Sequence, residues 1–343
     1  MEKDGLFRQG TATQQVGSGV SFFQCIWTDI MDTVGYVGDP EGSTEFYQIL
    51  LKGDCEVACW WPDATAEAED GSRLVDLEEL ADLSVIFVDT GIAECRQLAR
   101  RIGDVITGRH IIVHTIRGIE ANTINTASKI LYEETPTRRI GFVTGPLRLD
   151  DIQEGRPASA VCASNFPEVH DLVEEAMMSS RLRIYHARDL MGAELSAVYS
   201  RLIALMSGMG RALGLGTSLQ GTLFVRGLAE MSRFVGAHDG DERTPFGLSG
   251  AGNLYADTAI DGNIDFEMGI HLAAHAEEGE EELIKNFGTP AREILDILAA
   301  FEEANEKAEL DLYLLDASAA LITAGLPASQ VVKGLMSLPA LEE

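Results

Sequence analysis

The sequence feature that most constrains the fold is a series of short, uninterrupted apolar runs in the first half of the chain. Five such runs are present: Val34–Val37, Glu56–Trp61, Ser84–Val88, His110–His114 and Arg139–Val143. Continuous rather than alternating apolar residues are typical of strands buried on both faces. Segments with helical periodicity, such as Thr44–Lys52 and Ile92–Ile106, separate the runs. This order predicts an α/β fold, a doubly wound parallel sheet with right-handed helical crossovers.

The second half of the chain has a different pattern. From about Leu190 onward the apolar spacing is helical, in segments separated by Gly, Pro and Asp. We therefore predict an α/β domain over residues 31–188 and an all-helical domain over residues 189–343. Residues 1–30 fit neither pattern, and we expect this N-terminal extension to add a strand or to pack on the sheet edge.

The charge balance limits the possible partners. The chain has 55 acidic and 26 basic side chains and a net charge of −29. No run of Lys or Arg offers a basic patch, so nucleic acid and anionic membranes are disfavoured as partners. The chain has no apolar stretch of the ~18 residues that a membrane helix needs and no signal-peptide pattern. We expect a cytoplasmic protein.

Several motifs together indicate a family. They are Ile116–Glu120, Thr144–Pro146, Gly155–Ser164, Asp189–Leu195, Thr222–Phe234 and Gly247–Leu254. In order and spacing they resemble bacterial NAD(P)-dependent glycerol-3-phosphate dehydrogenase over most of residues 34–343. The resemblance implies a Rossmann-like domain followed by a helical domain of the 6-phosphogluconate-dehydrogenase-like type. It also implies an active site in the cleft between them, which uses NAD(P) to interconvert glycerol 3-phosphate and dihydroxyacetone phosphate.

Two positions that match the family's catalytic residues carry different side chains here. Ser200 stands where the family has its catalytic Lys, and Asn253 stands where it has an Asp. A hydroxyl cannot replace an ammonium that polarises a carbonyl and exchanges a proton near neutral pH. An amide keeps the shape of the carboxylate and loses its charge. Arg201 follows Ser200, but its helical direction differs by ~100°.

The substrate-phosphate segment is also altered. The family's Ser-Arg-Asn stretch falls on Asn263, Ile264 and Asp265. Exchanging Arg for Ile removes a bidentate phosphate ligand, and Asp265 repels a dianion. The cleft features that persist are Arg117, in place of the family's Lys, and the Thr144-Gly145-Pro146 turn.

The predicted cofactor turn is Gly38-Asp-Pro-Glu-Gly42-Ser43, after the first strand. Pro40 replaces a Gly that admits the pyrophosphate, and two acids flank it. The alternative turn, Gly17–Phe22, has the first two glycines but no preceding buried strand. Arg226 lies in a helix that faces the cofactor in the family, where it either contacts the cofactor or forms an interdomain salt bridge.

His271 and His275 are spaced one helical turn apart, as in some metal sites. No third ligand follows from the spacing, so we interpret both as partly exposed histidines on an acidic helix and predict no metal.

Two hypotheses follow for the function. In the first, the chain is a catalytically degenerate homologue that binds a small molecule, regulates, or serves as a structural subunit, and it pairs with itself or with an active paralogue. In the second, it is an active NAD(P)-dependent oxidoreductase with a changed substrate, and Arg117 or Arg201 has a new role.

Overall fold

The computed structural model describes residues 32–38, 44–62, 72–177, 179, 181–259, 262–275 and 279–337. The N-terminal extension therefore lies outside the described residues. The described residues form eight strands: β1 (Thr33–Val37), β2 (Glu56–Trp60), β3 (Arg73–Leu74), β4 (Val85–Val88), β5 (Ile111–His114), β6 (Arg139–Thr144), β7 (Ala158–Ala163) and β8 (Leu182–Ala187).

The strands form one sheet in the order β3-β2-β1-β4-β5-β6-β7-β8. All neighbouring pairs are parallel except β6 and β7, which run antiparallel. The order changes direction between β1 and β4, and ligands bind at this point in open α/β sheets. The predicted doubly wound sheet is confirmed, and the antiparallel β6–β7 pair was not predicted.

Helices in the sheet domain are α1 (Glu45–Leu51), α2 (Ile92–Val105), α3 (Ala127–Glu134), α4 (Leu149–Gln153) and α5 (Pro167–Met177). Residues of α1 and α5 share one apolar core with alternate strand residues. Residues of α2 and α3 share the core on the opposite face. Both faces of the sheet are thus covered, which is why its strands are apolar without alternation.

The remaining helices are α6 (Leu190–Ala212), α7 (Thr217–Ala237), α8 (Asn253–Ala259), α9 (Ile264–His275), α10 (Gly279–Phe287), α11 (Thr289–Ala308), α12 (Tyr313–Ile322) and α13 (Ala328–Met336). Helix α6 lies at their centre, and every residue from Gly192 to Gly210 is buried. A Cβ atom on Gly269 would lie 1.8 Å from the Leu205 carbonyl oxygen, so this glycine lets α9 pack closely on α6.

A buried carboxylate joins the sheet to the helical bundle. Glu194, on α6, accepts hydrogen bonds from the Thr126 hydroxyl and the Ser128 amide, both at 2.9 Å. His114 Nε2 lies 3.3 Å from the same carboxylate. These contacts fix the start of α6 against the carboxyl end of β5, and thereby position the residues that follow on both elements.

In the described part of the chain, no helix combines the length and apolar character needed to cross a bilayer.

Candidate active-site cleft

The cleft between the sheet and the helical bundle contains Arg117, three residues after β5. Its guanidinium donates from Nη2 to Ser200 Oγ at 2.9 Å and to Asp257 Oδ2 at 2.6 Å. The Nε atom reaches the carbonyl oxygen of Ala197 at 3.3 Å. Arg117 therefore contacts the position that matches the family's lysine, and its charge is already matched by Asp257.

Arg201, the residue that follows Ser200 on α6, is buried. Its Nε and Nη2 atoms donate to the two carboxylate oxygens of Asp265 at 3.0 and 3.1 Å, and Nη1 donates to Glu293 at 2.8 Å. Although burial lowers the pKa of Arg201, the two carboxylates raise it above its usual value. Arg201 is thus permanently charged and fully matched.

The remaining predicted cleft residues form hydrogen bonds within the chain. Asn253 Nδ2 donates to Thr144 Oγ1 and to the Ser249 carbonyl oxygen, both at 2.9 Å. Asn263 Nδ2 donates to Asp257 Oδ1 at 2.9 Å. Ile264 is 43% exposed and has no polar group to offer. Gly145 and Pro146 lie beside Thr144, in the turn after β6.

The local charge follows from these contacts. Two guanidinium groups face three carboxylates, those of Asp257, Asp265 and Glu293. In the glycerol-3-phosphate reaction, cations at such a cleft would bind the phosphate dianion. Here the chain's own carboxylates bind those cations, so an incoming dianion would have to displace them.

The second part of the cleft is the crevice where the strand order reverses, between β1 and β4. Asp89 follows β4 and accepts hydrogen bonds from the hydroxyls of Tyr36 at 3.1 Å, Thr115 at 2.6 Å and Thr44. Thr44 is the N-cap of α1. A carboxylate of the chain therefore lies at the helix N-terminus that binds pyrophosphate in Rossmann domains.

We tested whether the described residues fit a dinucleotide. Gly38 fits, because a Cβ there would lie 2.6 Å from the Asp89 carbonyl oxygen and the Tyr36 hydroxyl. The Asp89 carboxylate lies at the N-terminus of α1, where the Thr44 hydroxyl donates to it. At the end of β2, the Arg101 guanidinium covers Trp60 at 4.7 Å, and Asp63, which follows the strand, lies outside the described residues. Residues 39–43, Gly42 among them, lie outside the described residues.

The structure brings together most of the residues predicted for the cleft, but not Arg226. Arg226 lies on α7 and lines a separate pocket with residues of α6, α12 and α13. The His271 and His275 rings stack at 4.6 Å. In the described part of the chain, no group of three His, Cys, Asp or Glu residues is arranged to hold a metal.

Sequence reasoning missed the contacts through which three carboxylates determine the charge of the cleft. Asp257 lies one helical turn after Asn253, so the helical period places both on one face. Asp89 directly follows an apolar run, and parallel strands end at the same edge of the sheet. Glu293 has no such signal, because it reaches Arg201 from a helix 92 residues further along the chain.

The comparisons with known proteins agree with the fold. Models of the NAD-dependent glycerol-3-phosphate dehydrogenase N-terminus and C-terminus match residues 72–170 and 189–333. Glycerol-3-phosphate dehydrogenase [NAD(P)+] of Acinetobacter baylyi is 31% identical over 278 residues, covering 80% of this chain and 76% of the relative. The Pseudomonas aeruginosa enzyme (strain LESB58) is 30% identical over 266 residues, with 77% and 76% covered.

Two solved structures share the fold. Glycerol-3-phosphate dehydrogenase from Coxiella burnetii has a TM-score of 0.79 at 18% identity, covering 90% of this chain and 99% of that one. The Plasmodium falciparum enzyme has a TM-score of 0.78 at 13% identity, with 93% and 99% covered. From the two matching models and the sequence relatives, this chain belongs to the NAD-dependent glycerol-3-phosphate dehydrogenase family.

Proposed function

We propose that this family member does not oxidise glycerol 3-phosphate and functions as a binding or regulatory protein. The observation that carries the proposal is the pairing of both cleft arginines with carboxylates of the chain. Arg117 is bound to Asp257, and Arg201 is bound to Asp265 and Glu293. A phosphate dianion would have to break these ion pairs and leave buried carboxylates without their cations, which costs several kcal/mol.

The proton transfer of the parent reaction also lacks a suitable group. Reduction of a ketone needs a donor beside the developing alkoxide. Ser200 is fully buried and donates its own proton to the Ala197 carbonyl oxygen at 2.9 Å. Arg117 stays protonated at all accessible pH values, so it orients a ligand but does not exchange a proton.

On the cofactor side, the position of Asp89 supports the same proposal. Its carboxylate takes the favourable place at the N-terminus of α1, so a pyrophosphate would meet a negative charge there. When bound, NAD(P)H supplies a hydride to the substrate carbonyl. Weak cofactor binding would leave the fold without its reductant.

One observation favours the second function, an oxidoreductase with a changed substrate. The Arg117 guanidinium lies 2.9 Å from the hydroxyl that replaces the family's lysine, so a cation persists beside the reacting position. Such an enzyme would take an uncharged or cationic carbonyl substrate, because the surrounding carboxylates disfavour an anion.

A direct assay separates the two proposals. Purified protein is mixed with dihydroxyacetone phosphate and NADH or NADPH, and nucleotide oxidation is followed by absorbance, with an active bacterial family member as positive control. We expect no turnover above the protein-free rate. Turnover within a few hundredfold of the control would overturn the first proposal. Turnover only with uncharged carbonyl compounds would support the second.

A further inference from the structure

The pocket that contains Arg226 lies within the helical domain, away from the cleft residues. Its walls are mostly apolar and come from α6, α7, α12, α13 and the loop between α6 and α7, and Thr222, Glu230 and Tyr313 are its other polar residues. The leucines that line it are Leu215, Leu219, Leu223, Leu314 and Leu335. Its volume is about 60 Å³. A cavity of ~150 Å³ holds a benzene ring, so this smaller, partly open pocket encloses only the end of an aliphatic chain, and the rest of a longer chain lies along its mouth.

Arg226 differs from the other arginines that are partly or fully buried. Arg96, Arg117 and Arg201 each bind carboxylates, and Arg233 donates to a backbone carbonyl oxygen. Arg226 is half-buried and has no hydrogen-bond or ion-pair partner among the described residues. In a chain with a net charge of −29, an unmatched guanidinium at an apolar pocket is a specific anchor for an anion.

Glu230, the acidic side chain nearest to Arg226 along α7, does not form an ion pair with it. Glu230 lies one turn after Arg226 and lines the same pocket. Its two carboxylate oxygens accept from the Leu314 amide at 3.0 and 2.9 Å, and Tyr199 donates to one of them at 3.4 Å. These donors hold the carboxylate against the N-terminus of α12, and Arg226 keeps its charge for a ligand.

We propose that this pocket binds a short-chain aliphatic carboxylate, with the alkyl chain among the leucines and the carboxylate on Arg226. A bidentate guanidinium–carboxylate pair supplies the orientation, and burial of each methylene supplies affinity. The site is independent of the cleft, so it stands whether or not the chain is a dehydrogenase.

The test is calorimetric titration of the whole protein with acetate, butanoate and hexanoate at constant ionic strength. We expect affinity to rise up to about fourfold per added methylene until the pocket is filled. Hexylamine has the same chain length and the opposite charge, and we expect it to bind at least about tenfold more weakly than hexanoate. Equal affinity of the amine and the carboxylate would overturn the proposal.

Two variants localise the binding. Arg226→Gln keeps the side-chain length and removes the charge, and it should weaken hexanoate binding at least about tenfold. Arg243→Gln makes the same charge change at a side chain that is 88% exposed, and hexanoate affinity should not change. Circular dichroism confirms that both variants fold.

A third variant, which blocks the pocket instead of removing the charge, tests the proposal if Arg226→Gln unfolds. Leu219→Trp fills the half-buried rim of the pocket, so it should abolish hexanoate binding. Saturable hexanoate binding in Leu219→Trp, or no saturable binding of hexanoate to the native protein, would overturn the proposal.

Discussion

The two halves of the cleft both contain carboxylates of the chain, but they hold them differently. On the substrate side, Asp257, Asp265 and Glu293 are matched by guanidinium groups. On the cofactor side, three hydroxyl groups donate to Asp89, and no cation among the described residues pairs with it. The substrate side is therefore stabilised by charge pairing, whereas Asp89 is stabilised by neutral donors.

The largest effect is expected from breaking the buried pairing. Arg201→Met leaves Asp265 and Glu293 without their cation, and should lower the free energy of unfolding by about 3–5 kcal/mol, measured by urea denaturation. Arg243→Met removes an exposed ion pair and should leave stability unchanged. Arg201→Met, Asp265→Asn and Glu293→Gln combined should recover part of the loss. Equal midpoints for Arg201→Met and Arg243→Met would contradict the buried pairing.

A carboxylate held by neutral donors should make stability depend on pH. Burial raises the pKa of Glu230 from its ordinary 4.5 to about 7. The protonated side chain therefore contributes stability that is complete below pH 4.5 and is lost as pH rises through 7, by at most about 3 kcal/mol. Glu230→Gln should remove this slope, and the exposed Glu78→Gln should keep it. The same slope in both variants would contradict the assignment to Glu230.

Freeing a cation on the substrate side should restore some anion binding. Asp257→Asn leaves Arg117 unmatched, and we expect about tenfold tighter binding of glycerol 3-phosphate, measured by calorimetry. Asp104→Asn makes the same charge change at an exposed residue of α2 and serves as the matched control. If both variants gain equally, the gain comes from net charge and not from Arg117.

Removing the carboxylate on the cofactor side should have a smaller effect. Asp89→Asn removes the negative charge at the N-terminus of α1, which is worth up to ~1 kcal/mol, or about fivefold in NADH affinity. The gain is limited because Asp39 and Glu41 stay in the turn. Asp76→Asn, at the start of the 3₁₀ helix Leu77–Asp82, is the control. No gain over Asp76→Asn would mean that Asp89 does not oppose the cofactor.

Restoring the family's catalytic pair alone should have no effect. Ser200→Lys with Asn253→Asp places an ammonium in a fully buried position beside the Arg117 guanidinium, and it leaves Asp89 and the cofactor turn unchanged. We expect no dihydroxyacetone phosphate reduction in the absorbance assay unless residues 38–43 are also rebuilt. Turnover regained by the two substitutions alone would show that the cofactor side is intact.

The fold could be predicted because it depends on local patterns. The apolar run that ends at His114 places apolar side chains on both faces of the sheet, and the spacing of apolar residues after Leu190 has the period of a helix. Strands β3, β7 and β8 were not predicted: β3 has only two residues, and β8 alternates buried and exposed residues at the sheet edge. The antiparallel β6–β7 pairing has no sequence signal, because strand direction depends on how the intervening loop returns.

The family motifs indicate which residues belong to the cleft, but they do not indicate which carboxylates pair with its arginines. The family motifs placed Ser200, Asn253 and Arg117 at the cleft, and the structure brings the first and third within hydrogen-bond distance. The partners of the arginines could not be predicted, because Asp257, Asp265 and Glu293 reach them through tertiary packing. For Arg226 the family's helix left a cofactor contact and an interdomain salt bridge open, and the structure places it at a pocket among α6, α7, α12 and α13.

We propose that the chain's own carboxylates occupy the places of both ligands' phosphate groups. Calorimetric titration of the native protein with NADH and NADPH, each with and without glycerol 3-phosphate, tests it most directly. We predict no saturable binding up to about 1 mM, which corresponds to less than about 4 kcal/mol of binding free energy. Binding of either nucleotide with a micromolar Kd, tightened by glycerol 3-phosphate, would contradict the account.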